Sequence, residues 1–246
     1  MKHTLRIKIP ILCFAACIHF KVKAQQNFIN VPSGDATAKG GLFFQQQVNV
    51  DKNIQGNTTL DLGLGKGFEV GCNVLGLNAD LNKGNLMRCD TGSGSAYNPL
   101  VMVNGLKSFS ISHHVSLVAG TQVGGNVASR RHATTASLFY GNVVLSDLGK
   151  KELKIVSGVY YNSRHYGGGS NRLGAWLGME INAGKKTHLV LESIIGNQSL
   201  SYTSLAMVYF PKVWMPVTAG LQIPNNRQNP YSFVVELTLL PRKKMR

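Results

Sequence analysis

After its first 24 residues the chain has no run of 18 apolar residues, so no transmembrane helix is available. It also has no heptads, no low-complexity tract and no 20–50-residue repeat, which excludes coiled coils and solenoids. Proline falls mostly at segment ends, and no stretch reads as an amphipathic helix. Cysteine is scarce. Of four, Cys13 and Cys17 lie in the leader, leaving Cys72 and Cys89 for one disulfide at most. Cys72 sits on an apolar strand face and Cys89 in a loop, so two free thiols are the alternative. The seven histidines form no His-x-x-x-His pair, and His113-His114 reads as a turn, so no metal or other cofactor is expected. Gly63-Leu64-Gly65-Lys66-Gly67 lacks phosphate-loop spacing and leads into a strand, so it reads as a hairpin turn. Acids are few, 11 against 26 Lys and Arg in 246 residues. The positive balance has no basic recognition helix to carry it, which argues against nucleic acid.

What is present starts with a leader. Lys2, Arg6 and Lys8 precede the short apolar run 9–20, and Val22-Lys23-Ala24 offers a cleavage site before Gln25. This predicts a secretory signal peptide over 1–24; a lipoprotein cut before Cys17 is the weaker alternative. The leader holds five of the basic residues and none of the acids, so the remainder carries a net charge of +10. Residues 25–39, with the turn-rich Val31-Pro32-Ser33-Gly34-Asp35, are expected at the periplasmic mouth or as a plug in the lumen. Residues 40–246 make a single all-β domain by length and pattern.

The stretch 57–77 sets that pattern. Leu60, Leu62 and Leu64 alternate with Asp61, Gly63 and Gly65; after the turn, Phe68, Val70, Cys72 and Val74 alternate with Glu69, Gly71 and Asn73. A period of two puts the large apolar groups on one strand face. Similar strands are predicted at 40–50, 99–111, 114–124, 133–146, 152–162, 172–182, 187–196, 201–210, 213–223 and 231–240, about twelve in all. Their connections alternate in length. Short turns at 65–67, 112–113, 148–151, 183–186 and 211–212 separate generally longer loops at 51–56, 78–98, 125–132, 163–171, 197–200 and 224–230. That alternation predicts an antiparallel transmembrane β-barrel with both termini in the periplasm. A soluble β-sandwich, whose faces also alternate, is the fold alternative.

The layout, with stretches such as GLGKGFEVG and RLGAWLGMEIN, resembles the small outer-membrane β-barrel proteins of Gram-negative bacteria. The resemblance covers the chain after its leader and implies outer-membrane localisation and a porin-like role in transport, with membrane lipid and lipopolysaccharide as neighbours.

Strand parity then assigns the lumen. Asp61, Glu69, Glu180, Glu192 and Glu236 face inward, as does Trp176. One reading is an acidic wall that favours cations or polar solutes. The other is that these acids pair with neighbouring basic groups and fill a narrow bore. Inward glycines, among them Gly63, Gly174 and Gly178, leave room for Trp176 or for residues 25–39, or ease strand bending. Six of the eight arginines beyond the leader fall on the outer half: Arg88, Arg130, Arg131, Arg164, Arg172 and Arg227. Arginine forks suit the phosphates of lipopolysaccharide; a solvated rim is the plain alternative. Tyrosines near strand ends suit interfacial girdles.

Enzyme chemistry finds little support. His114-Val115-Ser116 has the His-x-Ser spacing of outer-membrane lipid hydrolases but lies at the periplasmic end. Ser163-Arg164-His165 is a loop cluster with nothing to fix it. The expected function is a narrow channel or facilitator for small polar or cationic solutes. A non-conducting structural or surface-interaction barrel is the alternative, and a lipid-modifying enzyme comes third.

Overall fold

The computed structural model describes residues 27–79, 98–126, 134–149, 152–169, 172–196, 198–227 and 229–241. The signal-peptide region, Cys89, Arg88, Arg130 and Arg131 lie outside the described residues. Twelve antiparallel strands close into one barrel. They are β1 (Leu42–Val50), β2 (Ile54–Gly65), β3 (Phe68–Ala79), β4 (Leu100–Ser110), β5 (Val115–Asn126), β6 (Thr135–Leu148), β7 (Leu153–Asn162), β8 (Leu173–Gly184), β9 (Thr187–Ile195), β10 (Tyr202–Lys212), β11 (Met215–Pro224) and β12 (Ser232–Leu239). Each strand pairs with its neighbours in sequence, and β1 closes on β12 with Gln47 opposite Glu236. One helical turn, α1 (Arg164–Gly167), interrupts the β7–β8 connection. Both ends of the barrel chain lie at the same rim, called the near rim below, together with the turns β2–β3, β4–β5, β6–β7, β8–β9 and β10–β11.

The side-chain alternation selects the membrane. Leu60, Leu62 and Leu64 stand on the outside of β2, while Asp61 between them is buried within. The outside is apolar all the way round, with Leu173 71 % exposed on β8 and Leu205 58 % on β10. Glu69, Glu180, Glu192 and Glu236 are buried inside. A soluble sandwich would invert this arrangement, so the sandwich alternative fails. Closure leaves no strand edge for lipid to meet, and the apolar wall makes this a transmembrane barrel. At the near rim Lys107 lies over the Phe68 ring, 3.9 Å from its centroid, and Lys212 lies 5.4 Å from the Trp214 centroid. Aromatic and basic groups belong at that depth.

Two boundaries differ from the sequence pattern. The β1–β2 connection is a tight turn over 51–53 rather than a loop to residue 56. The Asn53 amide donates to the Asp51 side chain at 2.7 Å, which lets β2 start at Ile54. The β10–β11 turn falls at Val213-Trp214, beyond Pro211-Lys212. A register shift between Tyr209 and Lys212 accommodates Pro211, which has no amide to donate.

The interior is filled at the near half. Moving back from β1, the chain turns inward at Gly40, where the Gly40 amide donates to the Gly63 carbonyl at 2.8 Å. Residues 27–39 then run inside the barrel, ending in a small loop in which the Phe28 amide donates to the Val31 carbonyl at 3.0 Å. Phe28, Ile29 and Val31 are fully buried and share one apolar core with Val118, Val144, Val156, Val190, Val208 and Phe210 from the inner wall. Each such side chain contributes about 1.5–3 kcal/mol of burial.

Candidate functional site

The inner wall is shaped to receive the N-terminal segment. At Gly178 on β8 a Cβ would collide with the Phe28 ring, and at Gly63 on β2 with the backbone of Thr37 and Ala38. The missing side chains are the sockets into which the segment fits.

Polar groups then fasten it. Glu192, fully buried on β9, accepts three successive backbone N–H groups: Ile29 at 3.1 Å, Asn30 at 3.0 Å and Val31 at 3.0 Å. The Asn30 side-chain amide and the Ser204 hydroxyl donate to its other oxygen at 3.0 and 3.1 Å. Successive amides curled round a carboxylate form an anion nest, and bonds to a charged acceptor are the stronger kind. Glu69 accepts the Thr37 amide at 2.6 Å. Lys154 donates to Asp35 at 2.7 Å. The Asn142 side chain donates to the Pro32 carbonyl at 3.0 Å.

The remaining sequence-assigned acids are engaged with the wall itself. Asp61 accepts from Asn104 at 2.8 Å. Glu180 Oε1 lies 2.6 Å from His188 Nδ1. Glu236 accepts from the Thr238 hydroxyl at 3.2 Å. All five acids stand inside, but not as a free acidic lining: two hold the N-terminal segment and three bond within the wall. Trp176 stacks on Tyr160 with centroids 4.7 Å apart and donates its indole N–H to Asn142 at 2.7 Å.

Above the segment, toward the far rim, the lumen opens into a vestibule of about 420 Å³ whose floor includes Asn27, Ile29 and Asn30. Gln45 and Gln47 of β1, Gln55 and Asn57 of β2 and Gln222 of β11 line one side; Leu138, Trp176 and Ile194 line strands across the barrel. Tyr166, on α1, roofs part of it and donates its hydroxyl to Gln122 at 2.9 Å. Burial pushes that hydroxyl above its ordinary value, so it remains a donor.

Sequence parity overlooked these carboxamides, although alternation in Gln45, Gln47, Asn49 and in Gln55, Asn57, Thr59 carried the signal. It also overlooked Lys154 and His188. Of the described arginines, Arg164 opens α1, Arg227 sits in the β11–β12 loop, and Arg172 donates to the Tyr161 hydroxyl at 3.3 Å. Of the hydrolase candidates, His114 lies outside β5 in the near-rim turn with Nδ1 3.0 Å from the Ser146 carbonyl. His165 Nδ1 lies 3.0 Å from the Thr135 carbonyl, and the Ser163 hydroxyl accepts the Ser137 amide at 2.9 Å.

No family model matches the chain, and no curated protein matches it in sequence. Among solved structures it is similar to the KdgM porin in complex with disordered oligogalacturonate, with a TM-score of 0.56 and 7 % identity over 81 % of this chain and 99 % of that one. The KdgM porin in a second structure gives a TM-score of 0.53 at 7 % identity, again over 81 % and 99 % of the two chains. This is the fold of the outer-membrane porins. The Acinetobacter baumannii outer membrane protein Omp33 also matches, with a TM-score of 0.47 and 10 % identity over 82 % of this chain and 98 % of that one. Barrel closure explains why the exposed apolar residues of the strands face outward while the five carboxylates lie within.

Proposed function

We propose that this chain is a narrow outer-membrane channel for small polar solutes, entered from the far-side vestibule and gated by its own N-terminal segment. The observation that carries this reading is the vestibule, an opening of about 420 Å³ that ends on Asn27, Ile29 and Asn30 of a segment the wall holds through both polar contacts and an apolar core. Similarity in fold to the KdgM porin supports a transport role. In this reading both termini and the near rim face the periplasm, as the placement of short turns at that rim favours.

The preference for cations expected from Asp61, Glu69, Glu180, Glu192 and Glu236 does not enter this reading, because each of the five carboxylates is buried and bonds the segment or the wall. Selection falls instead to the vestibule. A non-conducting barrel is the second reading, favoured by the complete burial of Phe28 and Val31 in the bore.

Proteoliposome swelling tests the channel reading. Vesicles carrying the refolded protein should swell in small polar solutes faster than empty vesicles, and faster still with Glu192→Gln. Swelling no faster than in empty vesicles, for both proteins, would favour the non-conducting barrel.

A further inference from the structure

The vestibule has a chemical character that transport alone does not account for. Among its described lining residues Asp51, at the rim, is the sole acid, and there is no Lys, Arg or His. Below Asp51 an ion would lose hydration without meeting a counter-charge among the described lining residues, which is strongly unfavourable. The wall of β11, β1 and β2 carries carboxamides instead. Each can donate and accept at once, matching the dual character of a hydroxyl group.

Gln222 sharpens the point. It is 4 % exposed, lines the vestibule, and its side chain makes no hydrogen bond to any described residue. Its amide therefore faces the vestibule with donor and acceptor both free for a solute that enters. Across the barrel the wall turns apolar at Leu138 on β6, Trp176 on β8 and Ile194 on β9. A polar face opposite an apolar one suits a sugar ring, with hydroxyls at its edge and C–H groups on its faces. The volume lies in the lower range of small-molecule sites.

We propose that the vestibule binds a neutral polyhydroxylated solute, a mono- or disaccharide. The proposal rests on the vestibule being the channel's entrance, and it names what that entrance selects. Gln222 and Gln55 act as paired donor and acceptor groups for ring hydroxyls, and the plug residues Asn27 and Asn30 close the floor beneath.

The test is titration calorimetry of the full refolded chain in a detergent without a sugar headgroup, with maltose, D-galacturonate and L-lysine as probes. Maltose should bind saturably, at least tenfold more tightly than either charged probe. Gln222→Leu should weaken it about tenfold, equivalent to about 1.4 kcal/mol. Gln55→Leu, nearer the rim, should act in the same direction and covers the case in which Gln222→Leu fails to fold, judged by heat-dependent gel mobility. Absence of maltose binding, equal or tighter binding of a charged probe, or indifference to both glutamine variants would overturn the proposal. Because the titration involves no membrane, maltose binding by a protein that gives no solute flux would sink the channel reading alone. Flux without maltose binding would sink this proposal alone.

Discussion

The ring of Phe28 lies against the bare backbone of Gly178, in the space a side chain on that glycine would fill. One residue belongs to the N-terminal segment and the other to the middle of β8, so the contact measures whether the segment is seated. Gly178→Val should unseat it without opening the barrel, since valine suits a strand. A cysteine placed at Ser33, buried when the segment is seated, should then react with a water-soluble maleimide several times faster. Unchanged labelling would mean that the segment does not depend on this socket.

Glu192 should act as the main latch. Its replacement by Gln keeps the shape but removes the charge and turns one acceptor oxygen into an NH2 group, against the Asn30 side-chain amide and the Ser204 hydroxyl if it replaces Oε1. Local stability of the segment should fall by about 1.5–3 kcal/mol. Hydrogen exchange at the Ile29, Asn30 and Val31 amides checks this, with exchange at those sites about tenfold or more faster and the wall strands protected as before. Equal protection in the variant would remove Glu192 from that role.

The Lys154–Asp35 pair should contribute less. Lys154 is buried but Asp35 is 43 % exposed, so water screens the attraction. A double-mutant cycle with Lys154→Met and Asp35→Asn should give a coupling of about 0.5–1 kcal/mol. A value several times larger would make this pair, rather than Glu192, the principal fastening.

Leu177, half exposed near the middle of β8, points away from the lumen. Leu177→Arg should cost about 2–4 kcal/mol if that face meets lipid at mid-depth. Equilibrium refolding into vesicles reads the cost. A neutral result would place the residue in water.

For the outer loops, Arg164→Gln with Arg227→Gln should weaken binding to lipopolysaccharide if those guanidinium groups meet its phosphates. Binding to vesicles containing lipopolysaccharide, compared with phospholipid vesicles, reads this directly. Equal binding by the double variant would leave them a solvated rim.

The barrel was legible because lipid and lumen demand opposite chemistry of alternate residues, as Leu60, Asp61 and Leu62 display. The filled near half was legible only as one of two expectations for residues 25–39, at the mouth or as a plug. Val118, Val144 and Val156 face inward although they are apolar, and Val143 beside Val144 faces lipid, so alternation fades there. The role of Glu192 was hidden for a different reason. Its partners are backbone amides of a segment without periodicity, and no side-chain pattern announces a nest. Gln45, Gln47 and Gln55 were visible by parity, but uncharged polar residues in a polar face read as ordinary solvated wall.

The most direct test of a channel closed from within is single-channel conductance in a planar bilayer, comparing the intact protein with a variant lacking residues 27–39. The account predicts small, infrequent openings for the intact protein and larger, sustained steps for the variant. An inserted variant that stays electrically silent would contradict it, and the barrel would then be a structural element of the membrane rather than a route across it.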